Sequence, residues 1–142
     1  MRKKILFIIL TAMVFASCGN YYGDENLGSG YFVWKDGRYA SLVYNEDRED
    51  AEGGYTVIEE NIIETKANEK YIIAKSVKYN NYKQRILSYW IIDKSKQLDM
   101  SKCKDQASCD AVLKPNLIKE TDSLPFTKIL KRQDIDLSFD GW

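Results

Sequence analysis

Short apolar runs separated by polar turns follow one another after residue 30, a spacing typical of antiparallel β-structure. The first two runs flank Asp36-Gly37, a dipeptide that favours a type I′ hairpin turn because both central positions need positive φ. Later runs are separated by "NEDREDAEGG", by a turn at 66–69 and by "NNYK". The pattern predicts these strands: 31–35, 38–44, 55–58, 61–65, 71–77 and 86–92.

Two of these runs, 71–75 and 86–92, are apolar at consecutive positions instead of alternating with polar residues. A strand that is apolar on both faces lies in the middle of a sheet with both faces covered. The sheet is therefore expected to close into a small barrel or sandwich, or to be covered by a helix and loops.

The segment "TDSLPFTKILKRQ" carries the signals of a short helix. Thr121, Asp122 or Ser123 can cap its N-terminus, and Pro125 suits the first turn, where no backbone N–H is needed. Its apolar side chains recur at helical spacing and form one face: Phe126, Ile129 and Leu130. The final segment, 135–140, alternates apolar with acidic or polar residues and is predicted to be a strand.

Together these elements predict a mainly β, small α+β fold. It consists of an antiparallel sheet of about six strands, barrel- or sandwich-like, with one helix near the C-terminus.

The N-terminus has the pattern of a secretory signal peptide. Three basic residues, Arg2 to Lys4, precede an apolar stretch at 5–15 that is too short to cross a bilayer. The next residues, "FASC", resemble a bacterial lipobox, with Phe15 where Leu is usual. By that resemblance Cys18 is diacylglycerylated and becomes the first residue of the mature protein, anchored by its acyl chains. The alternative is ordinary signal cleavage that leaves Cys18 as a free thiol.

The chain is accordingly divided into a signal peptide at 1–17, a flexible tether at 18–30 that is rich in Gly and Asn, and a single β-rich domain at 31–142. We expect this domain in the bacterial cell envelope, held at the membrane and either periplasmic or surface-exposed.

Charge and composition exclude several chemistries. Lys+Arg and Asp+Glu both number 21, and removal of residues 1–17 takes away three basic residues and no acidic one. The resulting excess of acidic residues argues against a nucleic-acid partner. The chain has no histidine, the commonest general base, and no Gly-rich phosphate loop in a strand–helix context. We therefore expect no catalytic residue, no metal site and no cofactor.

The remaining cysteines, Cys103 and Cys109, lie six positions apart in "CKDQASC". In an oxidising compartment this pair favours a local disulfide. The alternative is a metal site, which would need two further ligands that the chain does not offer as histidine or cysteine.

The motifs "NEKYIIAKS", "YWIIDKSK" and "LPFTKILKRQDIDL" together resemble a family of small bacterial lipoproteins whose domain has no known function. The resemblance implies a lipoprotein signal, two central strands, and a short helix with a Phe anchor. It covers most of residues 30–140, and the stretch "SKCKDQASCDAVLKPN" is an insertion relative to that pattern. The resemblance implies no activity.

Aromatic side chains provide the candidate binding surface. Tyr79 and Tyr82 belong to a predicted hairpin tip, and Tyr89 and Trp90 to the strand that follows. Such rings give a large contact area for a protein or glycan, whereas the alternative is that they clamp the hairpin by cross-strand packing. We expect an envelope binding or interaction module. The alternatives are an inhibitor or immunity-type lipoprotein and, less favoured, a small hydrolase that uses two carboxylates.

Overall fold

The computed structural model describes residues 22–47 and 49–142. In this part of the chain two four-stranded antiparallel sheets are formed, each with its strands in sequence order. Sheet A contains β1 (Tyr22–Gly28), β2 (Tyr31–Asp36), β3 (Tyr39–Tyr44) and β4 (Tyr55–Ile58). Sheet B contains β5 (Asn61–Ala67), β6 (Tyr71–Tyr79), β7 (Arg85–Asp93) and β8 (Leu117–Glu120). Two helices follow in the second half, α1 (Gln106–Leu113) and α2 (Ser123–Arg132).

The predicted fold class is confirmed: the domain is mainly β with a helix near the C-terminus, and its two sheets form a sandwich-like arrangement without closing into a barrel. The six strands predicted between residues 31 and 92 are present within two residues at each end. The predicted signal peptide and Cys18 lie outside the described residues.

The β2–β3 hairpin turns one residue later than expected. Asp36 pairs with Tyr39, so the central turn residues are Gly37 and Arg38. Of these two residues, only Gly37 has a positive φ, of 62°. A positive φ at the first central position alone is typical of a type II′ turn, whereas a type I′ turn was expected. Asp36 thereby remains in the ladder as the last residue of β2.

The main core lies between the two sheets. Alternate residues of β2 and β3, among them Val33 and Leu42, face Ile72 and Ile92 of sheet B, and all four are almost fully buried. Helix α1 adds Cys109 and Leu113 to the same cluster.

Helix α1 is held at its start by a capping box and a disulfide. The Asp105 carboxylate accepts a hydrogen bond from Ser108 N at 2.8 Å, and the Ser108 hydroxyl accepts one from Asp105 N at 3.0 Å. Cys103 and Cys109 form the expected disulfide, with their Cα atoms 4.3 Å apart. Because Cys109 has no exposed surface, the bond ties the preceding turn directly to the main core.

A second core covers the opposite face of sheet B. Helix α2 begins after Asp122, whose carboxylate accepts a hydrogen bond from Leu124 N at 2.9 Å, as the sequence predicts. The helix and the segment after it place four side chains against Ile73, Tyr89 and Ile91: Phe126, Leu130, Ile135 and Phe139. Both faces of sheet B are therefore covered, as the apolar runs predict.

The prediction of a strand at 135–140 is wrong. These residues join no ladder, although Ile135 and Phe139 are buried against sheet B. The alternation in the sequence correctly indicates that Ile135 and Phe139 are buried. They are buried by packing against sheet B, and the segment does not need to pair as a strand for this. The chain ends with Trp142, whose ring lies 5.4 Å from Phe139 and 5.5 Å from Tyr89, measured between centroids.

The prediction of a flexible tether over 18–30 is wrong for residues 22–28, which form the edge strand β1. This strand pairs with β2 from Tyr22 opposite Asp36 to Gly28 opposite Tyr31. The C-terminal end of β1 is held by Lys94, whose ammonium donates a hydrogen bond to the Leu27 carbonyl at 2.8 Å. Polar, Gly-containing strands of this kind form because a neighbour supplies the ladder, not because of intrinsic propensity.

A nearly buried carboxylate marks the two-residue connection between the sheets. Glu60 lies between β4 and β5, and its side chain is 13% exposed. It accepts hydrogen bonds from Lys119 Nζ at 2.5 Å and from the Ser76 hydroxyl at 2.8 Å, and Lys78 Nζ lies 3.4 Å away. The Trp90 indole N–H donates to the same Ser76 hydroxyl at 2.7 Å.

The partners of Glu60 determine its protonation. Burial alone would raise its pKa, but the hydrogen bonds from Lys119 and Ser76, together with the Lys119 charge, more than offset that effect. The Ser88 hydroxyl lies beside the same carboxylate and also favours its charged form, without reaching hydrogen-bond geometry. As a result the pKa of Glu60 is lowered from 4.5 to about 2.

This lowered pKa gives a pH-dependent contribution to stability. Ionised Glu60 stabilises the fold above the ordinary pKa of 4.5, and that contribution is lost as the pH falls towards 2. We expect Glu60→Gln to lower the free energy of unfolding at pH 7 by about 1–3 kcal/mol, and the difference from the wild type to shrink by pH 3. Urea denaturation at the two pH values measures this. Glu59→Gln is the matched control, and an equal deficit of Glu60→Gln at both pH values would contradict the prediction.

Candidate functional site

The four aromatic residues predicted to form one binding surface are divided by the fold. Tyr79 and Tyr82 lie at the β6–β7 hairpin and are 68% and 84% exposed. Tyr89 is buried at 7% exposure in the core under α2, so its assignment to a surface is wrong. Trp90 is half-buried on the other face, with the Lys119 ammonium 4.5 Å from its ring centroid. Successive residues of a strand point to opposite faces, and here both faces are covered.

The β6–β7 tip is built around Asn80. Its side-chain oxygen accepts hydrogen bonds from Tyr82 N and Gln84 N, both at 2.9 Å, and its amide nitrogen donates to Gln84 Oε1 at 2.8 Å. Lys83 takes the left-handed conformation that closes the loop, with φ of 58°. With the backbone held in this way, the ring of Tyr82 projects into solvent. It therefore makes too little contact with the two strands to stabilise the hairpin by cross-strand packing.

A different aromatic surface lies on the outer face of sheet A. Because side chains alternate along a strand, Phe32 and Trp34 of β2 point away from sheet B, as do Tyr39 and Val43 of β3. Phe32 and Val43 are buried beneath Ala51 of the following loop. Trp34 and Tyr39 are each 49% exposed.

The loop between β3 and β4 folds back over this face and is held there by specific hydrogen bonds. Ala51 N donates to the Asp24 carboxylate on β1 at 2.8 Å. The Asn45 amide donates to the carbonyls of Asp50 and Glu52, both at 3.0 Å. Gly54 ends the loop where a Cβ atom would lie only 3.0 Å from the Tyr44 carbonyl oxygen, so a larger residue would displace the loop.

Three neighbouring cavities that share lining residues lie beside the loop and the exposed rings, and together they form the sheet A groove. Its first cavity, of about 510 Å³, lies between the loop and Trp34. A second, of about 250 Å³, shares Trp34 and Thr56 with the first and extends to Tyr39. A third, of about 440 Å³, continues from Tyr39 to Tyr79 at the base of the hairpin tip. The groove therefore crosses the outer face of sheet A and reaches sheet B.

The charge along the groove is almost entirely negative. Its first two cavities are lined by five carboxylates and by no described Lys or Arg: Asp24, Asp36, Asp50, Glu52 and Glu59. The third cavity adds Glu60 and the one cation found among the described lining residues, Lys78. Within residues 22–47 and 49–142, no three acidic or cysteine side chains converge closely enough to hold a metal ion.

Residues 28–111, more than half of the chain, match a family model described as a protein of unknown function, DUF3997. The chain belongs to the DUF3997 family. The match includes the strands β2 to β7 and thus Trp34, Tyr39 and the covering loop of the groove, whereas α2 lies outside it. No curated protein and no solved structure matches the chain. Among the described helices of this DUF3997 protein, none is both long and apolar enough to cross a membrane.

Sequence reasoning did not find the groove in this DUF3997 domain. Phe32, Val33 and Trp34 are consecutive aromatic or apolar residues, so the pattern does not show which face of β2 stays open. The sequence did contain one signal for the groove, which is the acidic loop after β3. A loop with many carboxylates beside a strand with aromatic residues places negative charge around those residues.

We expect the hydrogen bond between Ala51 N and Asp24 to hold the loop over Phe32 and Val43. Asp24→Ala removes the acceptor and should speed amide hydrogen exchange at Ala51 by about tenfold, since an unmade hydrogen bond to a charged group costs about 1–3 kcal/mol. Asp24→Asn keeps an oxygen acceptor and should give an intermediate rate. Exchange measured by NMR tests this, and an unchanged Ala51 rate in Asp24→Ala would contradict it.

Proposed function

We propose that this DUF3997 protein is a lipid-anchored binding module of the cell envelope and that it contacts its ligand through the sheet A groove. The observation that supports this most directly is the half-exposure of Trp34 and Tyr39 on the groove floor, each at 49%. Large rings that pack against a sheet on one side and meet solvent on the other are the residues that dominate binding interfaces.

The structure around Trp34 and Tyr39 favours a binding role for these rings over the explanation that they are exposed by chance. The covering loop buries Phe32 and Val43 but stops short of Trp34, and hydrogen bonds from Ala51 and Asn45 hold it at that distance. A preformed concave surface reduces the ordering cost of binding. An open groove suits an elongated ligand better than an enclosed small molecule.

The proposed anchor places the groove close to the membrane. Acylated Cys18 would precede the first residue of β1, Tyr22, by four positions, which span at most about 14 Å when fully extended. Tyr22 pairs with Asp36, and Asp36 lies opposite Tyr39. The anchor would thus hold the middle of the groove, at Asp36 and Tyr39, near the headgroups, where it meets ligands that are themselves at the membrane.

The anchor is tested by replacing the acylated thiol. Cys18→Ser should move the protein into the soluble fraction or leave an unprocessed precursor, because the acyl chains supply the membrane affinity. Fractionation of cells together with incorporation of labelled palmitate measures both outcomes. The double variant Cys103→Ser, Cys109→Ser serves as the control, since it removes the disulfide and leaves Cys18 in place. A processed Cys18→Ser protein that stays in the membrane would contradict acylation as the anchor.

The binding surface is tested by cross-linking in intact cells. We expect Trp34→Ala to abolish the cross-linked complexes of the full-length protein while its unfolding midpoint stays near the wild type, because half of the ring is already solvated. Tyr82→Ala at the hairpin tip is the matched control and should leave the complexes intact. Loss of the complexes in Tyr82→Ala alone would place the interface at the tip instead. Survival of the complexes in both variants would contradict binding through exposed aromatic residues.

A further inference from the structure

The indole of Trp34 lies between carboxylates on the sheet face. Asp24 of β1 is its direct cross-strand partner, so the two Cβ atoms lie on the same face at close range. Asp36 lies two positions further along β2, again on that face, and is the direct partner of Tyr39. A positive group placed over the indole would therefore have a carboxylate on two sides.

Several other rings of the domain have a lysine of the same chain close to them. Lys119 lies 4.5 Å from the centroid of Trp90, Lys70 lies 5.0 Å from Tyr71, and Lys75 lies 6.0 Å from Tyr89. In the part of the chain that the structure describes, no such cation lies over Trp34 or Tyr39. Trp34 and Tyr39 are each half-exposed and lie beside the carboxylates of Asp24 and Asp36.

Apart from Glu60, the groove carboxylates form no ion pair with a lysine or arginine that the structure describes. The ion pairs among the described residues engage Glu25, Glu60, Asp99, Asp110 and Asp140. The groove residues Asp36, Glu52 and Glu59 take part in none of them. Like charges held together on a solvated rim repel one another, and a cationic ligand would relieve that repulsion.

We propose that the sheet A groove receives a Lys- or Arg-bearing extended segment of a protein partner, with one cationic side chain over the Trp34 indole. This proposal rests on the proposed binding function and specifies its ligand. Cation–π contact with Trp and ion pairing with Asp24 and Asp36 act on the same side chain. The groove crosses several strands and has carboxylates at successive positions, so an extended chain with more than one basic residue fits it better than a single amine.

The proposal is tested with a fluorescein-labelled peptide of alternating Lys and Gly and with the same peptide carrying Gln for Lys. Anisotropy titrations use the wild-type domain, with salt varied between about 0.05 and 0.5 M. The Lys peptide should bind, its affinity should fall with salt, and the Gln peptide should bind at least about tenfold more weakly. Equal binding of the two peptides would overturn the proposal.

Variants of the protein distinguish binding in the groove from a general attraction between a basic peptide and an acidic protein. Trp34→Leu leaves the charge unchanged and should weaken binding of the Lys peptide by about tenfold. The double variant Asp36→Asn, Glu59→Gln should weaken it to a similar degree. The matched control is Asp134→Asn, Asp136→Asn, which removes two exposed charges after α2, away from the groove, and should leave the affinity within about twofold. Equal losses in both double variants would overturn a specific site.

Two further outcomes distinguish this proposal from the broader function. If Trp34→Ala abolishes the cross-linked complexes in cells but the Lys peptide does not bind, the groove is a binding site and its basic ligand is refuted. If the wild type self-associates on size-exclusion chromatography and Trp34→Leu does not, the occupant is the basic tip of a second copy, with Lys83 and Arg85, and the partner-protein proposal is overturned.

Discussion

The structure depends on an unequal covering of its two sheets. Sheet B is buried on both sides, by sheet A through Ile72 and Ile92 and by α2 with the C-terminal segment through Ile73 and Ile91. No helix within residues 22–47 and 49–142 covers the outer face of sheet A, and the β3–β4 loop protects part of that face through Ala51. The chain thus leaves the aromatic row of Trp34 and Tyr39 open on one sheet, while the tight packing of the other provides the rigid support that a preformed surface needs.

The two-residue connection between the sheets links core and groove. Glu60 is held by Lys119 and Ser76, and the same Lys119 lies over Trp90, so one cation fixes the position of both a carboxylate and a ring. Lys119 belongs to the short edge strand β8, whose register is therefore fixed by charge as well as by its ladder with β7. Glu59, the preceding residue, is exposed and lines the groove. A rigid Glu60 cluster consequently holds one acidic edge of the groove in place.

Sequence reasoning was accurate where local pattern decides the structure and failed where tertiary contacts do. The strands from Tyr31 to Asp93 and the helix after Asp122 were predictable because apolar runs, turn residues and a capping side chain lie close together in the chain. Strand β1 was missed because its polar, Gly-containing sequence is ordered by pairing with β2. The segment 135–140 alternates like a strand but is positioned by packing of Phe139. The groove was missed because the exposed face of β2 is decided by where the loop after β3 folds.

The negative groove and the basic hairpin tip are neighbouring surfaces of opposite charge, because the third cavity of the groove reaches Tyr79 at the base of the tip. Asp24 and Asp36 flank Trp34 in the groove, whereas Lys83 and Arg85 accompany Tyr82 at the tip. Tyr22 begins β1 opposite Asp36, so any anchor that acts through the residues before β1 acts beside the acidic groove. A membrane of anionic lipids repels the carboxylates of the groove, which disfavours docking of the groove on a lipid surface. The carboxylates around Trp34 thus favour a basic partner over an anionic surface.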